Sequence, residues 1–444
     1  MSFINLKTSF ISSLLLGVLF LTCSSYIIRG LDDDDYAQEN FIRYDDYTYD
    51  DSIKTVLLYN MRNEMSYPIM SLNGNEKIKL SFDDLRRENS IYNYTIIHCN
   101  ANWEPSELEP SQYIDGFFED ELFNFDYSNN TDLFYTHYNV TLPNENMKPT
   151  QSGNYIIMVY KVNDKAHPIL TKRFMVYENK VSTSITIKRA TDVNDSYFRQ
   201  EVDFKINHEG YDIKDPFERL NVVLMQNYRW DNAITGLQPR FIKDTELNYD
   251  YNNGENVFDG NNEFRAFDLK SIKYQTIRIN KIQFEAHDRL AHAYLLPDEN
   301  RSFKQYYQQP DLNGNFLVKR NEGENSETEA DYIKVHFKLP YSPPLKNGNL
   351  YLFGKFSDWK FKEELKLDYD TINQHYNKEV LLKQGYYDYM YCYVKDGSKN
   401  TGDLSIVEGS HYETKNDYSI LVYHREFNQD FDKLVGFTTA SNDN

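Results

Sequence analysis

The 444-residue chain is short of cysteine (three), glycine (18), proline (13) and tryptophan (three), and its 48 Lys and Arg are outnumbered by 68 Asp and Glu. Each shortage excludes something. Cys23, Cys99 and Cys392 lie far apart and Cys23 falls inside a leader, so neither a disulfide scaffold nor a cysteine-based zinc cluster can be assembled. Cys99 and Cys392 read as free, buried thiols. A net charge of -20 opposes a sequence-independent grip on nucleic acid or anionic lipid and favours basic partners. Past residue 21 no run approaches the roughly 20 apolar residues that a membrane-spanning helix requires.

Motifs of catalysis are missing as well. There is no G-x-S-x-G elbow, no P-loop, no H-E-x-x-H pair and no dinucleotide glycine fingerprint. The ten histidines are scattered, and His287 and His292 are five apart, a spacing that puts them on one face of neither a helix nor a strand. Asp83-Asp84 and Glu119-Asp120 are the adjacent carboxylates a glycosidase could use, but in so acidic a chain they read as solvated turn residues. The expectation is a protein that is not an enzyme, with no metal, no cofactor and no small-molecule substrate.

What the chain does have is aromatic residues, 16% of the total, with 38 Tyr and 28 Phe. Together with Val, Ile and Thr these fit pleated, half-buried surfaces, so the composition leans to β structure. Lys7, the apolar run Phe10 to Leu21 and the Thr22-Cys23-Ser24-Ser25 that follows have the layout of a secretory signal peptide. Cleavage is expected near Ser24 or Gly30, with lipid attachment at Cys23 or an uncleaved anchor as the alternatives. Residues 31–52, rich in Asp and poor in apolar side chains, read as a disordered acidic leader.

From Ile53 the pattern becomes short runs of period two separated by turn residues, the mark of half-buried antiparallel strands. Ile78, Leu80 and Phe82, for example, share one face, and Lys77, Lys79 and Ser81 the other. Seven such runs predict an N-terminal β-sandwich over 53–178, interrupted by a long loop from His98 to Thr131 of the kind that is commonly functional. A central sandwich is expected over 181–297, a polar linker over 298–331, a C-terminal domain over 332–425 and a loose tail over 426–444. The fold class is therefore all-β, with tandem immunoglobulin-like β-sandwich domains.

The part least explained by core packing is Gln226 to Ser271, where charges and amides crowd among aromatics. Two readings lead, ahead of a catalytic site. Arg229 and Arg265 could brace loops by forked hydrogen bonds. Alternatively Arg229, Trp230, Asn232, Asn262, Glu263, Phe264 and Arg265 form a partner-binding surface, since Trp, Tyr and Arg are enriched at interface hot spots.

Two resemblances follow from particular residues. Gly354-Lys355-Phe356-Ser357-Asp358-Trp359, with Lys383-Gln384-Gly385-Tyr386-Tyr387-Asp388-Tyr389, resembles early-set immunoglobulin-like domains of the glycogen-binding type. More broadly, FDDL at Phe82 to Leu85, HCNANW at His98 to Trp103, PSQYIDGF at Pro110 to Phe117, SGNY at Ser152 to Tyr155, RFMVYE at Arg173 to Glu178, QNYRWDNA, NNEFRAFD and DLNG at Asp311 to Gly314 resemble the type IX secretion system plug protein family of Bacteroidota. That resemblance implies a non-enzymatic periplasmic plug that sterically closes the periplasmic opening of the outer-membrane translocon barrel when no cargo is engaged. It also implies that the chain meets the membrane through that barrel and not by inserting itself. The alternative is a carbohydrate-binding envelope protein using the early-set domain, with Tyr387, Tyr389, Tyr391 and Tyr393 along one strand face.

Overall fold

Alternating apolar residues pair into sheets only if a second apolar face covers them, and in this chain they do so three times over. The computed structural model describes residues 42–86, 90–398 and 400–442; the segment expected to be a signal peptide and the start of the acidic leader lie outside them. Every strand pairing but two is antiparallel. The protein is all-β, built of stacked sheets, and no helix of the described residues is long and apolar enough to cross a membrane.

The first sandwich sets the sheet of Ile53–Asn60, Ile78–Asp84, Thr136–Leu142 and Phe125–Tyr127 against that of Tyr92–Cys99, Gly153–Lys161 and Pro168–Tyr177. The expected alternation is kept: Ile78, Leu80 and Phe82 enter the core with Ile96, Ile157 and Phe174.

The second sandwich is completed from the far end of the chain. Ser182–Arg189, Arg199–Asn207 and Glu246–Tyr249 form one sheet, and the facing sheet joins Leu220–Gln226 to Asp417–His424 and Lys433–Ser441. Val202, Phe204 and Leu247 meet Val222, Leu224, Ile420 and Val422 between them. Residues 433–441, expected as tail, are thus a strand, held because its neighbour Asp417–His424 offers a full edge of backbone donors and acceptors.

The third sandwich is inserted between these two halves. Arg265–Asp268, Phe316–Val318 and Gly348–Phe353 pair with Gly385–Lys395, and the opposing sheet runs Ile279–Glu285, Leu290–Leu295, Tyr332–Pro340, His375–Lys383, Asp368–Asp370. Strands 279–295, expected in the central sandwich, therefore belong with 332–395, and strand 417–424, expected in the last, belongs with 181–259. The intervening 298–331 is not a free linker: Asp298 is buried and Phe316 enters the core. The end of the acidic leader is ordered too. Tyr47–Thr48 pairs with Pro168–Tyr177, while Asp45 sits 2.5 Å from Lys360 and 3.3 Å from Arg173, which neutralise the charge that made the segment look unfoldable.

The sandwiches share apolar interfaces. Ile156, Met158 and Met175 of the first pack on Val223, Met225, Leu421 and Tyr423 of the second, so the described residues form one compact unit. Cys99 and Cys392 are free and buried, and desolvation pushes the Cys99 thiol up to about 12.

Candidate functional site

The structure brings most of the crowded 226–271 residues inward. Arg265 opens a strand paired to Gly385–Lys395, opposite Tyr389. Its Nε donates to Glu408 Oε1 (3.0 Å), Nη1 to Asp298 Oδ1 (3.0 Å) and Nη2 to the Glu299 carbonyl (2.7 Å). Arg301 donates to the other Glu408 oxygen (2.9 Å from Nε) and to the Glu263 carbonyl (2.8 Å). Tyr389 and Tyr391 each donate a hydroxyl to Asp298 Oδ2 at 2.7 Å. Glu408 is fully buried, and burial pushes its carboxyl up, but Arg265 and Arg301 outweigh that and hold it below the usual carboxylate range. This ionic lattice joins three chain segments far apart in sequence.

The neighbouring residues are engaged likewise. Asn262 Nδ2 donates to the Glu408 carbonyl (2.7 Å), and Phe264 lies edge-on to Trp359. Arg229 forks onto Asp231 (3.1 and 2.6 Å) with its guanidinium 4.9 Å from the Trp359 ring. Trp230 packs edge-on against Trp103, 5.0 Å between centroids, beneath Arg173, and Asn232 donates to Gln226 Oε1 (3.2 Å). Arg229, Asn262, Glu263, Phe264 and Arg265 are buried, so a partner cannot touch them directly; desolvation and internal pairing make them braces. Trp230 and Asn232 keep half-exposed positions.

Segments far apart in sequence converge here. Trp103, Arg173 and Trp230 stack in sequence, and Asn154 bonds the Asn100 carbonyl (2.9 Å) while accepting from Tyr423 (2.7 Å). Gly153, at φ 146°, lies so close to the His98 ring that a Cβ would collide with it. The Asp83-Asp84 pair is a correction: neither is solvated. Adjacent strand residues point to opposite faces, so Asp84 turns inward to Arg86 (2.9 Å) and Tyr92 (2.7 Å). Asp83 turns outward and is buried under the third sandwich by Lys383 (2.6 Å), Tyr332 (2.7 Å) and His137 (2.7 Å). Two carboxylates on opposite faces cannot flank one glycosidic bond. Likewise Tyr387, Tyr389 and Tyr391 line the core of the third sandwich.

A second acidic group lies at the DLNG turn. Asp388 Oδ2 accepts from the amides of Leu312 and Gly314, whose left-handed turn seats it against Phe264 and Trp359. Burial, then the charge of Asp311, pushes the Asp388 carboxyl up to about 8, and burial raises Asp311 to about 7. A raised carboxyl favours the fold when protonated, so this contribution is complete at low pH and is lost as pH rises through 8. Asp388→Asn removes it: urea unfolding between pH 5 and 8 should show the wild type losing up to about 1.4 kcal/mol per pH unit relative to the variant. Parallel curves would show that Asp388 stays ionised.

What remains accessible is elsewhere. The long loop carries Phe117 (62% exposed), Phe118, Phe123 (66%), Phe125 and Tyr127 (51%). Within it Asp120–Glu121 lies on the edge of one sheet of the first sandwich and Phe125–Tyr127 on the edge of the other. Sequence reading marked the loop but not these rings; five aromatics in eleven residues without alternation was the available signal. A separate outward-facing group, also missed, gathers His287, Asp288, His292, His336 and Glu379. His287 and His292 meet, ring centroids 5.9 Å apart, because a reversal of the chain separates them, which spacing along a single element could not reveal.

Comparison with known proteins gives three findings. Functionally curated proteins provide no match. A crystal structure of a hypothetical protein from Parabacteroides merdae is similar with a TM-score of 0.86 and 34% identity, over 90% of this chain and 100% of that one. The family model described as type 9 secretion system plug protein 1st domain matches residues 53–178, the first sandwich with its aromatic loop. With the three fused sandwiches and the residues of HCNANW, SGNY and RFMVYE meeting at their junction, the chain belongs to the type 9 secretion system plug protein family.

Proposed function

We propose that the protein is a non-enzymatic plug that closes the periplasmic mouth of the type IX translocon barrel whenever cargo is absent. The observation that carries this reading is the plug-domain match over the first sandwich. Outer-membrane barrels reach about 36 strands, wide enough to leak when open, so bulk and stiffness are what such a role demands. Three sandwiches locked by shared cores and buried ion pairs supply both. In this reading the protein resides in the periplasm at the inner side of the outer membrane and binds the barrel, not the lipid.

The exposed aromatic loop is the contact this reading favours. Exposed rings gain most from desolvation at an interface, and a few such residues carry most binding energy. The test is a tagged protein pulled from detergent-solubilised envelope. A very large outer-membrane protein should co-purify, and Phe117→Ser with Phe123→Ser and Tyr127→Ser should cost about 2 kcal/mol or more of affinity, roughly thirtyfold, with unfolding unchanged. Undiminished capture by the triple variant would move the contact to another face; no capture of a barrel protein by the wild type would remove the plug reading.

A further inference from the structure

On the outward face of the third sandwich, three neighbouring strands place His292, His336 and Glu379 side by side. His336 lies directly opposite Glu379 in the antiparallel pair, and His292 is its diagonal neighbour across the parallel pair. His292 Nδ1 is 2.9 Å from His336 Nε2, and His336 Nε2 is 3.5 Å from Glu379 Oε2, so three potential ligand atoms converge within 4.8 Å. We propose that His292 Nδ1, His336 Nε2 and Glu379 form a binding site for a divalent transition-metal ion of the zinc type.

The chemistry of the set supports an ion over a plain hydrogen-bond cluster. Two imidazoles and one carboxylate suit zinc and its neighbours, with one tetrahedral position left for water. His292 is oriented as a metal ligand is: its far nitrogen, Nε2, donates to Asp288 Oδ2 at 2.9 Å, which fixes the tautomer and leaves Nδ1 with a lone pair turned toward His336. Tyr294 stacks flat on the His336 ring, centroids 4.2 Å apart, holding its plane. Tyr294, His336 and Glu379 line a surface depression, with His292 buried behind them.

Without an ion, Lys334 takes part of its place. Its ammonium lies 3.0 Å from both Asp288 and Glu379, bridging the two carboxylates. A bound ion must displace it from Glu379, and Lys334 is partly exposed on a flexible stem, so it can swing away. The ion and this lysine therefore compete, which a merely structural histidine pair would not display.

The test is titration of the purified full chain with Zn2+ by calorimetry, and with Co2+ followed by visible absorption. One equivalent should bind, and the Co2+ spectrum should lack a sulfur charge-transfer band. Asp288→Asn should weaken binding about 10–100-fold, the usual cost of an outer partner, and His336→Ala or Glu379→Gln by more. His287→Ala should leave affinity unchanged, and Lys334→Ala should tighten it. Glu379 is exposed enough that Glu379→Gln keeps the fold, which thermal unfolding of the apoprotein checks. Absent binding, or an affinity unmoved by both His336→Ala and Glu379→Gln, overturns the proposal.

Discussion

Arg265→Ala lowers the unfolding free energy by about 3–5 kcal/mol, the range measured when one partner of a buried ion pair is removed. The cause is not the loss of a favourable pair alone. Glu408 and Asp298 stay buried, and each loses a charged donor: Glu408 Oε1 keeps only the Tyr391 amide (2.9 Å) and Asp298 Oδ1 only Arg278 (2.7 Å). Arg301 and Arg278 remain, but neither reaches the position of the missing fork. Arg265→Lys should recover only part of the loss, since an ammonium cannot donate in three directions along one plane. Urea unfolding followed by tryptophan fluorescence measures both, and Phe117→Ser, an exposed site, serves as a control expected to move stability by less than about 0.5 kcal/mol. A loss under about 1 kcal/mol for Arg265→Ala would mean that water enters the lattice and replaces the guanidinium.

The second large effect is at the joint between the first and third sandwiches. Lys383→Met should also cost about 3–5 kcal/mol, because Asp83 is left under the third sandwich with one cation fewer. Adding Asp83→Leu should restore part of that loss, since an apolar pair of matched volume needs no compensation for desolvation. The joint also depends on pH. Burial pushes the Asp83 carboxyl up, but Lys383 and His137 pull it below its ordinary range. Its contribution is therefore complete above the ordinary carboxylate value of about 4 and is lost as pH falls through its folded value. For His137 burial acts downward, and the bonds to Asp83 and Glu327 outweigh it, leaving the imidazole raised. Its contribution is complete below about 6.5 and is lost as pH rises through the folded value. The joint is thus firmest between about pH 4 and 6.5, and His137→Ala should flatten the alkaline side of the wild-type stability profile. An unchanged alkaline limb would place His137 in its neutral form throughout.

These two joints show where the sequence could be read and where it could not. The run Ile53 to Tyr59 was legible, and it is a strand at Ile53–Asn60; the alternation of Ile78, Leu80 and Phe82 named a core face that is kept. Asp83, one residue further on, was misread as solvated because nothing nearby in sequence shows that Lys383 will cover it. The same holds for Arg265: its residue type suggested both a brace and a contact, and only the arrival of Glu408 from far along the chain decided for the brace. The aromatic loop was marked by its length, whereas the exposure of its rings depends on which sheet edges it crosses.

By itself the sequence determined the local repertoire: strands of period two, no apolar run past residue 21 long enough for a membrane-spanning helix, no catalytic motif, free thiols at Cys99 and Cys392, and family membership through motif pieces that are local by nature. Tertiary structure alone decided that the last strands complete the second sandwich around an inserted third, that the crowded central charges point inward, and that two histidines and a glutamate meet on an outer face. The reason is one of range. Strand propensity and alternation are properties of a few neighbouring residues, whereas strand partners and the burial of a charge are set by segments hundreds of positions away, which side-chain periodicity does not encode.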